Sequence, residues 1–194
     1  MKSSKEFMAQ GTQFIMIQLG LALVLAGLNI PIIGIIAFIF QVMGINRLIK
    51  GAQDIFDFKL ARWAIVATFA AAFLLAGYLT NLVMNNPDVD PLLLLDTNKG
   101  IYMIILIMAM ISDSVFYFVF SGFSTYSLNV LEDQALSDTY NKIKLAIIGT
   151  LILSIVSLVL PQLDGLTYVV AISLRVFYLY VLWGTRNKIL QLDA

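Results

Sequence analysis

Long apolar segments separated by short polar ones constrain the fold of this chain more than any other feature. A helix needs roughly 20 apolar residues to cross a hydrocarbon core about 30 Å thick. Six segments approach this length: Thr12–Leu28, Pro31–Ile49, Ala61–Met84, Gly100–Phe123, Lys144–Leu160 and Leu166–Trp183. The pattern predicts an all-α polytopic membrane protein with six transmembrane helices in a single domain, residues 1–194.

The composition also predicts that the chain is surrounded by lipid. Of the 194 residues, 60% are hydrophobic and 12% are charged, and the mean hydropathy is +0.92. Soluble domains contain about 25% charged residues. Because so few polar side chains are present to cover a water-facing globule, we expect the chain to be embedded in lipid.

The connections between the segments predict three helical hairpins. The first two segments are joined by NIP, which places Pro31 at a first helical position, where its missing N–H costs nothing. The fifth and sixth are joined by PQLDG. The third and fourth are joined by the longer NNPDVDPLLLLDTNKG, which contains Pro87 and Pro91 and is expected to lie at the surface.

Basic residues near the ends of the segments predict the orientation, because such residues are retained on the cytoplasmic side of a membrane. One side carries Lys2, Lys5, Arg47, Lys50, Lys59, Arg62, Lys142, Lys144, Arg186 and Lys188. The other side carries Lys99 alone. We therefore expect both termini in the cytoplasm, in the plasma membrane of a prokaryotic cell.

Several functions are excluded by residues that the chain lacks. It contains no cysteine and no histidine, which removes disulfides, thiolate nucleophiles, the usual zinc ligands and histidine-dependent catalysis. Intramembrane aspartyl proteolysis needs two facing aspartates, and only Asp113 lies deep within a segment. The formal net charge is zero, so no basic surface is offered to nucleic acid. We expect no enzyme, no metal, no cofactor and no nucleic-acid partner.

Two cytoplasmic segments, near residues 45–60 and 124–143, stand out from the apolar spans. In the first, apolar residues such as Ile45, Leu48 and Phe56 recur at near-helical intervals with charges between them. This pattern is typical of a helix lying at the lipid headgroups, and a docking surface for a soluble partner is the alternative. A protein partner at the cytoplasmic face and a homo-oligomer both stay open.

Asp113 and Arg175 are the two ionisable residues expected deep in the hydrocarbon core. At 1.5 Å per residue, Asp113 lies roughly 20 Å from the outer end of its span and Arg175 roughly 14 Å. An isolated charge at this depth costs about 2.5–3.5 kcal/mol on insertion scales, and an Arg–carboxylate contact offsets much of that cost. We therefore predict that the two side chains pair.

Polar neighbours extend this candidate site and leave two functions open. Tyr117 lies one turn after Asp113, Tyr178 follows Arg175 by three residues, and Gln18 is the plausible partner from the first span. The first function is a transporter, channel or substrate-binding membrane subunit with a polar site at the midplane. The alternative is a non-catalytic scaffold or accessory subunit, in which Asp113 and Arg175 form a clamp that fixes helix register.

Overall fold

The computed structural model describes residues 3–28, 31–86 and 99–192, and within these ranges it is all-helical. Six long helices, here α1 to α6, span Ser4–Leu28, Pro31–Gly51, Phe56–Met84, Lys99–Asn129, Gln134–Val159 and Asp164–Gln191. A 3₁₀ turn, Pro161–Leu163, precedes α6. The predicted all-α fold is confirmed. Most of the loop predicted between the third and fourth spans lies outside the described residues.

The helices are long and apolar enough for a membrane protein. Within the described ranges, five of them, α1, α2, α3, α5 and α6, have the length and hydropathy needed to cross a bilayer. The fourth predicted span, Gly100–Phe123, lies within α4. Many large apolar side chains face outward, such as Phe73 and Leu74 of α3, which are 69% and 76% exposed. Outward apolar surface on this scale is covered by lipid in a membrane-integrated bundle.

Local hydrogen bonds and backbone conformation define the turns between consecutive helices. After α2, the N–H of Ala52 bonds to the carbonyl of Leu48 at 2.9 Å, and Ile55 is extended before α3 begins. Asp133 caps α5 by accepting a hydrogen bond from the N–H of Leu136 at 3.0 Å. The residue before it, Glu132, has a positive φ of 51°, which turns the chain sharply after α4.

The six helices form a closed ring. The principal contacts join each helix to the next one in the chain, and α6 also packs against α1. The contacts between α1 and α2 are the most extensive. Ser4, Gly51, Thr125 and Leu192 line one cavity of about 860 Å³. We call this part of the ring, where the first helix begins and the last helix ends, the terminal end.

Glycines allow α1 and α2 to approach closely near the terminal end. A Cβ atom on Gly11 would lie 2.8 Å from the side chain of Leu48, and one on Gly44 would lie 2.8 Å from that of Ile15. A Cβ on Gly51 would come within 2.6 Å of Met8. Small residues at such positions let helix backbones pack tightly in a membrane, where lipid provides no hydrophobic force between helices.

Aromatic side chains fill the ring beside this contact. Phe58 meets Phe123 edge-on at 5.5 Å, and the ring of Tyr140 stacks on Phe123, also at 5.5 Å. The hydroxyl of Tyr140 shares a hydrogen bond with Thr185 of α6. Phe58, Phe123, Tyr140 and Thr185 are all fully buried. The largest cluster of buried aromatic side chains therefore lies toward the terminal end, and within it the hydroxyl of Tyr140 is paired.

The two amphipathic segments, near residues 45–60 and 124–143, belong to the ends of the long helices. Residues 45–60 form the end of α2, a short turn and the start of α3, and residues 124–143 form the corresponding parts of α4 and α5. Ile45 and Leu48 are fully buried in the core, whereas Phe56 is 64% exposed. The amphipathic pattern arises because one face of each helix end packs inside the ring and the other face is exposed.

Candidate functional site

A cavity of about 290 Å³ lies midway along the helices, where α4, α5 and α6 meet α1. Asp113 and Arg175 both line it. The other lining residues are Leu19, Ser112, Phe116, Ile147, Thr150, Ser154, Ala171, Leu174 and Tyr178. We call it the Asp113 cavity. It combines two opposite charges with several hydroxyl groups inside an otherwise apolar bundle.

Helical spacing explains how each wall of the Asp113 cavity is built. The α6 wall consists of residues three or four positions apart: Leu174 and Arg175 follow Ala171 by three and four residues, and Tyr178 follows them by four and three. Such residues lie on one face of a helix. Thr150 and Ser154 of α5 are likewise four residues apart. The polar wall therefore forms because one face each of α4, α5 and α6 lines the same cavity.

Asp113 and Arg175 share the cavity without touching. No hydrogen bond and no ion pair within 4.0 Å joins the two side chains, so the direct pair predicted from the sequence is not formed. Both side chains nonetheless line the same space. A buried ion pair compensates its lost hydration only when the geometry is close and the remaining hydrogen bonds are satisfied. Water or a ligand in the cavity would supply hydrogen bonds that a direct pair does not.

The hydroxyl groups of α5 have acceptor capacity for such a molecule. Thr150 Oγ1 donates to the carbonyl of Ile147 at 2.8 Å, and Ser154 Oγ donates to the carbonyl of Thr150 at 2.9 Å. Each hydroxyl proton is thus used within its own helix, while the oxygen keeps lone pairs. These lone pairs, together with the Asp113 carboxylate, suit a ligand that carries N–H or O–H donors.

Tyr178 joins the site as predicted from its spacing to Arg175. Its side chain is buried, lines the cavity and packs against Phe120 with ring centroids 4.9 Å apart. It also lies close enough to interact electrostatically with both Asp113 and Arg175. The aromatic contact holds the ring in place, so that Tyr178 connects the Asp113 cavity to the aromatic core.

Tyr117 and Gln18 do not line the cavity. At about 100° per residue, Phe116 lies about 60° to one side of Asp113 and Tyr117 about 40° to the other. The cavity opens on the Phe116 side, and Tyr117 instead lies beneath the ammonium group of Lys144, 5.9 Å from its ring centroid. Gln18 is buried, and its Oε1 atom has no hydrogen-bond partner in the described part of the chain.

Thr150 and Ser154 are lining residues that the sequence analysis did not select. The signal that could have found them is the stripe Thr150, Ser154, Ser157, which places three hydroxyl side chains on one face of the fifth span. Single hydroxyl residues are common in transmembrane helices because they bond to the carbonyl one turn back. The spacing of these hydroxyl residues on one helix face, and not their presence, indicates a polar site.

A second polar cluster lies at the terminal end and is fully paired. Lys188 of α6 forms an ion pair and hydrogen bond with Asp133, in the turn between α4 and α5. This bond, helped by the N–H of Leu136, holds the pKa of the Asp133 carboxyl below its usual value. Nearby, Ser124 bonds to Ser137 at 2.9 Å. These contacts tie three helices together and leave no space for a ligand between the paired atoms.

Comparison of the chain with protein-family models, with curated proteins and with solved structures finds no match. The geometry of the Asp113 cavity therefore carries the functional argument by itself.

Proposed function

We propose that the chain is a six-span membrane protein that binds a small polar or charged solute in the Asp113 cavity. It would act as a transporter, a channel or a substrate-binding membrane subunit, without catalysing a reaction. Ionisable residues within a membrane are functional candidates by default, because their insertion is costly and needs a compensating role. Sites at the midplane between packed helices are typical of small transporters.

The observation that carries this proposal is that Asp113 and Arg175 line one cavity without a direct contact. A structural clamp would hold the carboxylate against the guanidinium, as Asp133 and Lys188 are held at the terminal end. Instead the two charges line a space of about 290 Å³. This is room for several water molecules or a small solute, since one water occupies about 30 Å³ in the liquid.

The proposed orientation places the terminal end in the cytoplasm. Lys50, Arg186 and Lys188 lie in the last turns of α2 and α6, close to this end. Basic residues next to spans favour the cytoplasmic side. In this orientation the basic residues near the span ends that the structure describes, from Lys5 to Lys188, lie on the inner side, and the Asp113 cavity lies between the two membrane surfaces.

A scaffold or accessory subunit is the second candidate, and the cavity of about 860 Å³ at the terminal end favours it. That cavity is lined by polar residues such as Lys50, Gln53, Asp54 and Asn129. It would face the cytoplasm in the proposed orientation and could receive a segment of a protein partner. This function would not require the Asp113 cavity to be hydrated.

Cysteine accessibility separates the two candidates. The chain contains no cysteine, so Ala171→Cys introduces a single thiol on the wall of the Asp113 cavity. A charged, membrane-impermeant thiol reagent should label this variant in lipid vesicles if the cavity is hydrated. Val176→Cys is the matched control, because Val176 lies on the same helix, is 53% exposed and is expected to face lipid.

Labelling at position 171 and not at position 176 would support a solute site reached by water. Absence of labelling at Ala171→Cys, in a protein that labels fully after unfolding in detergent, would contradict the solute-binding proposal. The same experiment with reagent on one side at a time would identify the face from which the cavity is reached.

A further inference from the structure

A groove on the outside of the ring, between α1 and α6, is separate from both cavities described above. It has a volume of about 380 Å³ and is lined by Gln13, Met16, Ile17, Leu179, Trp183 and Arg186. No residue of this set lines the Asp113 cavity. The spacing on each helix, at steps of three or four residues, places the six side chains on two facing stripes. We call it the α1/α6 groove.

The α1/α6 groove is polar at one end and apolar along the rest. Arg186 donates from Nη2 to Oε1 of Gln13 at 3.4 Å, which places these two residues together. From Gln13 the groove runs about 6 Å along α1 to Ile17, and from Arg186 about 10 Å along α6 to Leu179. Both directions lead away from the terminal end, so the charge lies near the membrane surface and the apolar walls lie deeper.

The guanidinium of Arg186 retains donors that the protein does not use. Its Nη2 atom donates to Gln13, and its Nε atom is buried and has no hydrogen-bond partner among the described residues. The Nη groups are therefore the donors that a ligand in the groove can reach. A guanidinium presents five N–H donors in a planar fork, and phosphate oxygens match that fork.

Trp183 lies between the charged and the apolar parts of the groove. Its side chain is 54% exposed, and it is placed eight residues before the end of α6. Tryptophan is enriched where the headgroups meet the hydrocarbon core, because its ring is apolar and its N–H is polar. Its position marks the level at which a phosphate would lie beside Arg186.

We propose that the α1/α6 groove is a binding site for one anionic phospholipid. The lipid phosphate contacts Arg186, and an acyl chain follows Met16, Ile17 and Leu179. The groove has a charged end and an apolar remainder, and a phospholipid has the same order of headgroup and acyl chain. The unused guanidinium donors favour a headgroup with net negative charge. In a zwitterionic headgroup, the lipid's own cation competes with Arg186 for the phosphate. Basic pockets between transmembrane helices are known sites for such headgroups.

Tryptophan quenching by brominated lipids tests this site. In a Trp63→Phe variant, Trp183 is the remaining tryptophan of the chain's two and reports on contact with brominated acyl chains. The protein is placed in phosphatidylcholine vesicles that contain either brominated phosphatidylglycerol or brominated phosphatidylcholine. We expect about five-fold preference for the anionic lipid at Trp183, the factor that corresponds to one cation near an anionic membrane surface.

The chain supplies a matched control on α3. Trp63 is 62% exposed, follows Arg62 directly and lies seven residues after the start of its helix, yet neither residue lines a described groove. In a Trp183→Phe variant, Trp63 should show a smaller preference for the anionic lipid than Trp183 shows, because neither Arg62 nor Trp63 lines a described groove that would hold a lipid in place. Arg62→Gln should not change that result, whereas Arg186→Gln should remove the preference at Trp183.

Equal quenching of Trp183 by the two lipids would overturn the proposal and identify the groove as ordinary lipid-facing surface. A preference that survives Arg186→Gln would overturn it as well. If Arg186→Gln does not fold, Gln13→Glu serves instead, because a carboxylate beside the guanidinium competes with the phosphate while leaving Arg186 in place. Loss of the preference in that variant supports the site, and its retention contradicts it.

Discussion

The terminal end and the middle of the bundle treat buried polar groups in different ways. At the terminal end Tyr140 is bonded to Thr185, and Asp133 is bonded to Lys188. In the middle, Asp113 and Arg175 line a cavity without a direct contact. Paired polar groups hold helices together, whereas charged side chains that line a cavity without direct contact leave hydrogen-bonding capacity for another molecule. The comparison assigns helix packing to the paired groups of the terminal end and solute binding to the Asp113 cavity.

The largest expected effect is the loss of an aromatic ring from the terminal end. Phe123→Ala removes a fully buried ring that contacts Phe58 and Tyr140, and should lower the free energy of unfolding by about 3–5 kcal/mol. Phe73→Ala, at a 69% exposed position on α3, should change it by less than about 0.5 kcal/mol. Unfolding in mixed micelles, followed by tryptophan fluorescence, measures both. Similar values for the two variants would contradict the location of the core.

The close contact between α3 and α4 should show the next largest effect. A Cβ on Gly122 would lie 2.5 Å from the ring of Phe58, so Gly122→Ala should destabilise the protein by about 1–3 kcal/mol. Gly149→Ala is the control, because a Cβ on Gly149 would meet nothing within 4 Å and alanine favours a helix. The same unfolding measurement applies, and a neutral Gly122→Ala would show that the two helices are not in contact at this point.

Neutralisation of Asp113 should separate a binding site from a clamp. Breaking a buried ion pair by removing one partner costs about 3–5 kcal/mol. Because Asp113 and Arg175 do not touch, Asp113→Asn should lower the free energy of unfolding by less than about 1.5 kcal/mol. The thiol of Ala171→Cys should still be labelled when this change is combined with Asp113→Asn. A loss in the range of a broken pair, restored by a second neutralising change at Arg175, would favour the clamp.

The ion pair at the terminal end should have the smallest effect, and it should depend on pH. The pKa of Asp133 is lowered by Lys188, so this pair stabilises the fold above the pKa of the unfolded carboxyl, near pH 4. The contribution is lost as the pH falls through the lower, folded pKa. Because both side chains are partly exposed, it should not exceed about 1 kcal/mol. Lys188→Ala should reduce this pH dependence and leave the part that comes from the N–H of Leu136, measured as the difference in unfolding free energy between neutral and acidic buffer.

Much of the fold could be predicted from the sequence, and the site only in part. Pro31 begins α2 as expected, and all six predicted spans lie within helices, apart from the last residue of the fifth. The helices extend past the apolar spans at the terminal end, where residues such as Tyr126 and Tyr140 are buried by other helices and not by lipid. Hydropathy detects contact with lipid, so it underestimated helices whose ends are covered by protein.

For the Asp113 cavity, the sequence identified Asp113, Arg175 and Tyr178 because charge and spacing are visible in one helix at a time. It selected Tyr117, which lies about 40° from Asp113 on the side away from the cavity, and not Phe116, which lies about 60° away on the side that lines it. It also assumed that opposite charges at similar depth must touch. Whether they do depends on helix rotation and on the side chains between them, which no single segment contains.

The sequence by itself determined that this protein is a bundle of apolar helices with two charges deep inside, because length, hydropathy and charge are properties of each segment. Only the tertiary structure decided that the helices close into a ring, that the amphipathic ends pack inward, and that Asp113 and Arg175 line one cavity without a direct contact. The physical reason is that the rotation of each helix about its axis is set by the shapes of its neighbours. A rotation of about 100°, the angle between consecutive residues of a helix, decides whether a side chain contacts lipid, protein or a cavity.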